Sequence, residues 1–358
     1  MEHNNKQDTP LGNQTTNITD PITDSVTPNN LEFKNRLDLS ELQTSVNQIK
    51  EEVGKVIVGQ KDMVDLLIAS ILAKGHALIE GVPGVAKTVT AKLLAKSLSV
   101  GFSRIQFTPD LMPSDILGTS VFNLKTNIFE FKKGPIFSNM ILIDEINRAP
   151  AKTQAALFEV MEEQQITIDG NAFKLQAPFI VLATQNPIEQ EGTYPLPEAQ
   201  LDRFMFKLCL NYPDAENELK ILQLTEREAK QVHLRQPEPL TQQKLFALRR
   251  AIMEVHIAPQ LNQYIVDLVV ATRQPERYTD EFSQWLEFGA SPRASISLAR
   301  AARAKAWLDG RDFVSPEDIQ QLAYPVLRHR LLLSYQAQAK GIQADAVIQR
   351  LLELVAFA

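Results

Sequence analysis

The sequence has few of the residues that build disulfides or metal sites. It contains 1 cysteine, Cys209, which cannot form an intramolecular disulfide, and its 5 histidines do not show the spacing of metal ligands. It also lacks a run of about 18 apolar residues, and residues 1–30 lack the apolar segment of a signal peptide. We therefore expect a cytoplasmic protein without a membrane span.

A surplus of basic residues is absent as well. The chain has 37 Lys and Arg against 43 Asp and Glu, so its formal net charge is -6, whereas a dedicated nucleic-acid binder usually has a basic balance. We therefore do not expect a nucleic-acid partner. With 44% hydrophobic residues, the 358-residue chain can bury a large core, and its length predicts about two domains.

Composition and periodicity divide the chain into three parts. Residues 1–36 are rich in Asn, Thr, Asp and Gln, and we interpret them as a disordered tail because they carry too little apolar surface to offset the entropy of ordering. Residues 37–212 alternate short apolar runs with helical stretches, which is typical of a parallel sheet covered by helices. Residues 213–358 show helical periodicity, and we expect an all-helical domain.

Five apolar runs of strand length lie in the middle part, and two insertions interrupt the alternation. The runs are residues 76–80, 104–108, 140–144, 179–184 and 204–208. In the first insertion, residues 120–132, two apolar runs flank Lys125-Thr126-Asn127 and predict a hairpin. The second, residues 165–175, contains Asp169-Gly170, a dipeptide that favours tight hairpin turns. The expected middle domain is a five-stranded sheet with two added hairpins.

The most informative segment follows the first apolar run. It reads Gly81-Val82-Pro83-Gly84-Val85-Ala86-Lys87-Thr88-Val89. Between a strand and a helix, such a segment is typical of a phosphate-binding loop, in which backbone N–H groups and the helix N-terminus surround the β-phosphate. Lys87 would neutralise phosphate charge and the Thr88 hydroxyl would coordinate Mg²⁺.

The usual phosphate loop has glycine where this chain has Ala86. Alanine can adopt right-handed helical angles, so the loop is preserved if this position already belongs to the start of the helix. The alternative interpretation of the segment is an ordinary Gly-Pro turn.

Two carboxylates end the third apolar run, where the carboxyl edge of the sheet is expected. Ligands bind at this edge in open α/β folds. Asp144 is predicted to hold Mg²⁺, and Glu145 to polarise the water that attacks the γ-phosphate. A solvated pair that caps the next helix is the alternative, and the phosphate loop upstream argues against it.

A polar amide follows the fourth apolar run. Asn186 could hydrogen-bond both the γ-phosphate and the attacking water. Taken alone, however, the Asn186-Pro187 step favours a turn.

These segments together resemble the MoxR family of AAA+ ATPases. The resemblance is carried, in order, by Gly-Val-Pro-Gly-Val-Ala-Lys-Thr, Ile-Leu-Ile-Asp-Glu-Ile-Asn-Arg-Ala-Pro, Ala-Thr-Gln-Asn-Pro and Leu-Pro-Glu-Ala-Gln-Leu-Asp-Arg-Phe. Residues 104–118 and 326–330 extend it over nearly everything after the tail, and the family shares the alanine at Ala86. The resemblance implies a P-loop AAA+ core, an all-α lid, ATP hydrolysis, and ATP with Mg²⁺ as cofactors.

The resemblance also implies roles for single residues. Asn186 matches the sensor-1 residue, and Arg203 matches the arginine finger, which a subunit supplies to the nucleotide of its neighbour. Arg293 matches sensor 2. With Ser291 as a predicted N-cap and Pro292 in the first turn, Arg293 would start a lid helix from which it can reach nucleotide phosphates.

Further segments are assigned more loosely. Val58-Gly59-Gln60 looks like the adenine-contacting loop, and we expect the nucleotide between core and lid, completed by a second subunit. Arg148 either reaches a neighbouring subunit or begins a surface helix, and Gln106 is a candidate to gate Glu145. The two hairpins resemble insertions that line a central pore and contact a client.

An arginine finger that acts on a neighbour requires a head-to-tail contact, which closes into a ring. The family implies a homo-oligomeric ring of six subunits. It also implies chaperone-like maturation of client proteins, such as metal-cofactor insertion or complex assembly. The family's partner is often a separate protein that carries a von Willebrand factor A domain.

Three other functions remain open from the sequence. A nucleotide-gated switch would hydrolyse ATP slowly and act through binding. A DNA-linked motor is disfavoured by the acidic balance. A small-molecule kinase would use the phosphate loop without a ring, and the Leu-Asp-Arg-Phe segment and the helical end argue against it.

Overall fold

The computed structural model describes residues 39–82, 84–187, 192–229 and 240–357. The tail predicted over residues 1–36 lies outside these ranges, as does Pro83 of the phosphate loop. None of the helices in the described ranges combines the length and the apolar character that crossing a bilayer requires.

The first part of the described chain begins with two helices and then mixes strands with helices. In chain order these elements are α1 (Leu39–Val56), α2 (Lys61–Leu72), β1 (Ala77–Gly81), α3 (Lys87–Ser97), β2 (Phe102–Gln106), α4 (Pro113–Leu117), β3 (Gly118–Asn123), β4 (Ile128–Lys133), β5 (Met140–Asp144), α5 (Ala151–Glu163), β6 (Gln165–Ile168), β7 (Asn171–Lys174), β8 (Ile180–Gln185), α6 (Glu198–Leu201) and β9 (Phe206–Leu210). Five of the strands pair in parallel in the order β2-β5-β8-β1-β9. The predicted five-stranded parallel sheet is confirmed.

The two edge strands are displaced by two residues from the predicted runs. Strand β2 ends at Gln106 although Phe107 is buried, and β9 begins at Phe206 although Phe204 is buried. The Phe204 ring packs edge-on against Phe158, with ring centroids 5.8 Å apart. An apolar side chain buried beside a strand has the same sequence signal as one within it, so the sequence cannot locate these ends.

Both predicted hairpins form, and they pack against each other. Strands β3 and β4 pair antiparallel, as do β6 and β7. The rings of Phe131 and Phe173 lie 4.4 Å apart, and the Ser120 hydroxyl donates to the Asp169 carboxylate at 2.5 Å. Leu124, at the tip of the first hairpin, is 86% exposed. The contacts between the two hairpins therefore hold the first hairpin in place, with the apolar side chain of Leu124 exposed at its tip.

The rest of the described chain is mainly helical. Its elements are α7 (Ala215–Ala229), α8 (Gln242–Met253), α9 (Pro259–Arg273), α10 (Asp280–Trp285), β10 (Leu286–Phe288), α11 (Pro292–Leu308), α12 (Pro316–Leu327), β11 (Leu332–Leu333), α13 (Tyr335–Ala339) and α14 (Ala344–Leu354). The helical C-terminal region is confirmed, with one addition: β10 and β11 form a small antiparallel pair. Strands of two and three residues are too short to show a period.

Buried apolar residues form two clusters, one on each face of the sheet. Alternate residues of β5 divide between them, because successive side chains of a strand point to opposite faces. One cluster contains Leu142 and continues through α1 and α2 into the C-terminal helices; the other contains Ile143 and lies under α5. One apolar cluster contains residues from both sides of position 212, so it does not separate two domains there. The predicted domain boundary at residue 212 stays a prediction.

Candidate nucleotide site

The segment after β1 turns directly into α3 and folds back on itself. The Lys87 ammonium donates to the carbonyl of Gly81 at 2.6 Å, and the Thr90 hydroxyl donates to the carbonyl of Ala86 at 2.9 Å. Gly84 has φ +87°, a left-handed conformation that glycine adopts without steric cost. The loop thus presents the first turn of α3, whose N–H groups lack intrahelical acceptors, toward the space beyond β1.

Ala86 differs from the expectation for its backbone. It precedes α3 with φ 56° and ψ 22°, so it is left-handed and does not have the right-handed angles predicted for it. The chain must reverse between Gly84 and Lys87, and Ala86 completes that reversal. A left-handed alanine costs about 1 kcal/mol relative to glycine, which the loop tolerates because the Cβ is small.

Lys87, Asp144 and Glu145 are brought together at the carboxyl edge of the sheet, as the sequence predicts. Burial lowers the pKa of Lys87, and the nearby carboxylates of Asp144 and Glu145 oppose this shift by favouring the charged ammonium. Parallel strands end at the same edge, so the loop after β1 and the acids at the end of β5 share one location. A cation and two acids there suit a phosphate ester with a bound metal ion.

Two side chains that the sequence did not single out hold Asp144. Arg104 of β2 donates from Nε to Asp144 at 2.5 Å, and Thr184 of β8 donates from its hydroxyl to the other carboxylate oxygen at 3.3 Å. The Thr184 oxygen also accepts from the backbone N–H of Glu145 at 3.0 Å. The strands on both sides of β5 therefore fix the orientation of the acidic pair. Only the register between strands reveals these partners.

Glu145 is held by its backbone and by two side chains. Its φ is 58°, a left-handed conformation that is costly for a non-glycine residue and concentrates at functional sites. Its Oε2 accepts from the Gln106 amide at 2.9 Å and from Arg148 Nε at 2.8 Å. The suggested contact between Gln106 and Glu145 is therefore present. Arg148 forms an ion pair with Glu145 of its own chain. Whether it also contacts a neighbouring subunit stays a prediction.

Asn186 and the candidate metal ligands lie at the same edge. Asn186 is buried directly after β8, the strand between β5 and β1. Thr88 in α3 and Asp144 at the end of β5 supply hard oxygen atoms, the donor type that Mg²⁺ prefers. The described residues contain no cluster of three or more His, Cys, Asp or Glu that could hold a metal ion. Mg²⁺ usually binds through one or two protein ligands together with substrate phosphates, and Thr88 with Asp144 fits that pattern.

Two residues of the predicted Val58-Gly59-Gln60 segment, Gly59 and Gln60, line a cavity near the phosphate loop. Gly59 and Gln60 bound a cavity of about 560 Å³ together with the end of β9, with Pro325 of α12 and with Arg328. Leu210, which also lines this cavity, pairs in register with Gly81 at the start of the loop. The cavity therefore lies next to the start of the phosphate loop and has core residues on one side and C-terminal residues on the other.

The predicted arginine finger and sensor 2 lie together at the opposite edge. Both guanidiniums donate to Glu162 at the end of α5: Arg203 Nη2 lies 2.8 Å from Oε2, and Arg293 Nη2 contacts Oε1. They line a cavity of about 260 Å³ with Gly75 and His76, which precede β1. The phosphate loop follows β1, and a strand of 5 residues spans about 16 Å. The two arginines therefore lie far from their own phosphate loop.

The reach of Arg293 to nucleotide phosphates stays a prediction, although its place at this edge separates it from its own phosphate loop. The start of α11 forms as predicted, with the Ser291 hydroxyl accepting from the N–H of Arg293 and Pro292 in the first turn. The same Ser291 hydroxyl donates to Asp202 at 2.7 Å, next to Arg203. This bond ties the first turn of α11 to the amino edge of the sheet.

A buried arginine strengthens this tie. Arg330, whose side chain is 2% exposed, donates to the Asp202 carboxylate at 2.6 Å and to the carbonyls of Phe204 at 2.7 Å and Met205 at 3.2 Å. The desolvation of this charge is offset by acceptors on several sides. The C-terminal region is thereby bonded to the segment that carries Arg203. Arg203 and Arg293 are therefore held next to each other.

The parallel sheet, the phosphate loop and the acids at its carboxyl edge define an AAA ATPase. Residues 76–206 match the ATPase family associated with various cellular activities (AAA), and residues 282–351 match the AAA lid domain. Membership of this family implies nucleotide binding.

Similar proteins narrow the class further. The chain is 46% identical over 315 residues to protein YeaC of Bacillus subtilis, covering 88% of this chain and 95% of the relative. It is 46% identical over 309 residues to Chaperone MoxR1 of Mycobacterium tuberculosis, covering 85% of this chain and 80% of the relative. A crystal structure from Cytophaga hutchinsonii has a TM-score of 0.82 at 46% identity, covering 89% of this chain and 97% of that one. The chain belongs to the MoxR family of AAA+ ATPases.

ATP is expected to protect Cys209 from alkylation. This exposed thiol, the 1 cysteine of the chain, lines the cavity beside Gly59 and Gln60, where a bound adenine would cover it. Desolvation by the surrounding residues raises the pKa of the thiol, so labelling with N-ethylmaleimide is run at one alkaline pH in every arm. At about ten times the dissociation constant of ATP, the labelling rate measured by mass spectrometry should fall about tenfold. An unchanged rate at saturating ATP would place the adenine elsewhere.

Proposed function

We propose that this protein hydrolyses ATP at the interfaces of a homo-oligomeric ring and uses the energy to remodel or mature client proteins. The observation that carries the proposal is the separation of two charge sets in one chain. Lys87, Asp144 and Glu145 lie at the carboxyl edge of the sheet, and Arg203 with Arg293 lies at the amino edge. A head-to-tail contact between two copies would bring one set to the other, and repetition of that contact closes a ring.

The residues of one subunit would bind the nucleotide and activate water. The first turn of α3 and Lys87 bind the phosphates, and Glu145 accepts a proton from the attacking water. Asn186 hydrogen-bonds the γ-phosphate or that water. When bound, Mg²⁺ would be held by Thr88 and Asp144 and would neutralise charge on the phosphate oxygens.

The residues of the next subunit would complete the site. Arg203 neutralises charge that develops on the γ-phosphate in the transition state. Because Arg293 shares Glu162 with Arg203, we propose that it also acts on the neighbour's nucleotide. A ring of six is the expected assembly, as the family resemblance implies.

Client engagement is assigned to the paired hairpins. The first hairpin projects Leu124 and Phe129, which are 86% and 71% exposed, and it is braced on the second through Phe131 and Phe173. Apolar side chains held on a rigid base suit contact with unfolded or partly assembled protein segments. A relative, MoxR1, is named a chaperone. A separate protein with a von Willebrand factor A domain is the expected partner, and such proteins can be tested directly for co-purification.

Arg203→Ala is expected to lose about 10³-fold in turnover of the assembled enzyme, the usual contribution of an arginine finger. ATP affinity should change little, because the phosphate loop of the same subunit is intact. Turnover is measured by steady-state phosphate release, and assembly is checked by light scattering with ATP.

A mixing experiment tests whether Arg203 acts on the neighbour. Arg203→Ala subunits keep Glu145, and Glu145→Gln subunits keep Arg203. In mixed rings, an interface that joins the intact Glu145 of one to the intact Arg203 of the other should regain activity above either parent. Verified mixed rings without this gain would contradict the proposal.

A nucleotide-gated switch is the second candidate, and the contacts of Glu145 favour it. The carboxylate that should activate water is engaged by Gln106 and Arg148, which would slow hydrolysis until a client or partner displaces them. Client release measured with ATP and with a non-hydrolysable analogue separates the two. Release with the analogue supports the switch, and release with ATP alone supports the motor.

A further inference from the structure

Glu162 contacts both Arg203 and Arg293, the two arginines at the amino edge of the sheet. Its Oε2 accepts from Arg203 Nη2 at 2.8 Å, and its Oε1 accepts from Arg293 Nη2. Each carboxylate oxygen thus binds one guanidinium. No sequence motif marked this residue, because it lies at the end of α5, 41 and 131 positions from the arginines along the chain.

Holding two guanidiniums side by side has a physical cost. Like charges repel at short distance, and each long side chain loses rotamer entropy when it is fixed. A carboxylate between them replaces the repulsion by two charge-assisted hydrogen bonds. The Arg203 guanidinium also lies over the Phe158 ring, 6.0 Å from its centroid. The pair is thereby ordered before any phosphate arrives.

Side-chain hydrogen bonds between the two segments also hold Arg203 and Arg293 together. The Ser291–Asp202 bond joins the segments on which Arg293 and Arg203 lie, and Glu162 joins their side chains. A guanidinium has five N–H donors, so each arginine keeps donors for an incoming phosphate while it binds Glu162. Glu162 therefore orients both arginines and leaves each of them with N–H donors that can bind a phosphate.

We propose that Glu162 is a positioning residue that presents Arg203 and Arg293 as one two-arginine unit to the nucleotide of the neighbouring subunit. This inference rests on the proposed function, in which the neighbour's site is completed by this edge. Glu162 itself does not touch the nucleotide. It acts through the arginines, and its effect is on the transition state formed in the next subunit.

Glu162→Gln is the sharpest substitution, because it keeps the size of the side chain but leaves one acceptor where the carboxylate has two. We expect kcat for ATP hydrolysis to fall about tenfold or more, since small displacements of a positioned group cost up to about 10²-fold. KM for ATP should change less than about twofold, because the phosphate loop belongs to another subunit. Glu163→Gln, the neighbouring exposed position on α5, is the matched control and should keep wild-type kcat.

Two further measurements separate positioning from a structural role. In the Arg203→Ala/Arg293→Ala background, adding Glu162→Gln should lower kcat no further, because its targets are gone. In mixed rings, Glu162→Gln subunits should regain activity with Glu145→Gln subunits, which supply an intact Glu162 to the next site. The thermal midpoint of Glu162→Gln is compared with that of Glu163→Gln, and equal midpoints are expected.

The outcomes that overturn the inference are distinct from those that overturn the proposed function. Unchanged or raised kcat in Glu162→Gln, an equal further loss in the double-alanine background, or no rescue in verified mixed rings would each overturn the role of Glu162. Wild-type turnover in Arg203→Ala would remove the trans arginine, and with it the reason for the unit. A loss in Arg203→Ala together with wild-type turnover in Glu162→Gln would overturn only the positioning role.

Discussion

Lys87→Ala is expected to abolish ATP binding at ordinary nucleotide concentrations. The ammonium lies at the mouth of the loop after β1, hydrogen-bonded to the Gly81 carbonyl and close to Asp144 and Glu145. Removing it leaves the phosphate charge facing two carboxylates without a cation between them. Truncating one partner of a desolvated charge pair costs about 2–5 kcal/mol, so we expect affinity to fall about 100-fold or more.

The measurement is an equilibrium titration with a fluorescent ATP analogue. Lys92→Ala, an exposed lysine on the same helix α3, is the matched control and should bind like the wild type. Circular dichroism excludes unfolding as the cause of any loss. The Cys209 labelling assay gives a second readout, since ATP should no longer protect the thiol in Lys87→Ala. Wild-type affinity in Lys87→Ala would place the phosphates outside this loop.

Glu145→Gln is expected to bind ATP but to turn it over about 10²–10⁴-fold more slowly, the usual contribution of a general base. The amide keeps the size of the carboxylate and cannot accept a proton from water. Binding should persist or tighten, because Lys87 and the first turn of α3 are unchanged and one negative charge beside the phosphates is removed.

Single-turnover phosphate release measures the chemical step directly, and the titration used for Lys87→Ala measures binding. Glu163→Gln again serves as the control for the chemical change itself. Assembly with ATP should match the wild type. Wild-type turnover in Glu145→Gln would refute its assignment as the base, and loss of binding would assign the residue to the nucleotide pocket instead.

Much of the site could be predicted because its residues lie next to strand ends. Continuous apolar runs, as in β5, mark central strands of a parallel sheet, and their carboxyl ends share one edge. Asp144 ends such a run, Asn186 comes directly after a strand, and Lys87 begins the helix that follows β1, so local sequence places them at that edge. The hairpins were equally accessible, since the turn at Asp169-Gly170 is a local signal.

The partners of these residues could not be predicted in the same way. Arg104 and Thr184 meet Asp144 only because β2 and β8 flank β5, which is a matter of strand order and register. The left-handed backbone of Ala86 was also missed, because the conformation follows from the path of the loop and alanine itself does not favour it. The predicted bounds of the two edge strands differ from the observed ones by two residues. The reason is that a buried phenylalanine next to a strand has the same sequence signal as one within it.

The amino-acid sequence was enough to identify the family, the sheet and the residues of phosphate chemistry, because each rests on contiguous residues whose spacing reflects local geometry. The sequence did not determine the edge of the sheet at which Arg203 and Arg293 lie. Their position depends on which edge of the sheet the C-terminal helices are bonded to, through Asp202, Ser291 and the buried Arg330. Those bonds join segments about 90 and 130 residues apart, and long-range pairing of this kind leaves no periodic signal in the chain. Packing therefore assigned both arginines to the edge that faces away from their own phosphate loop.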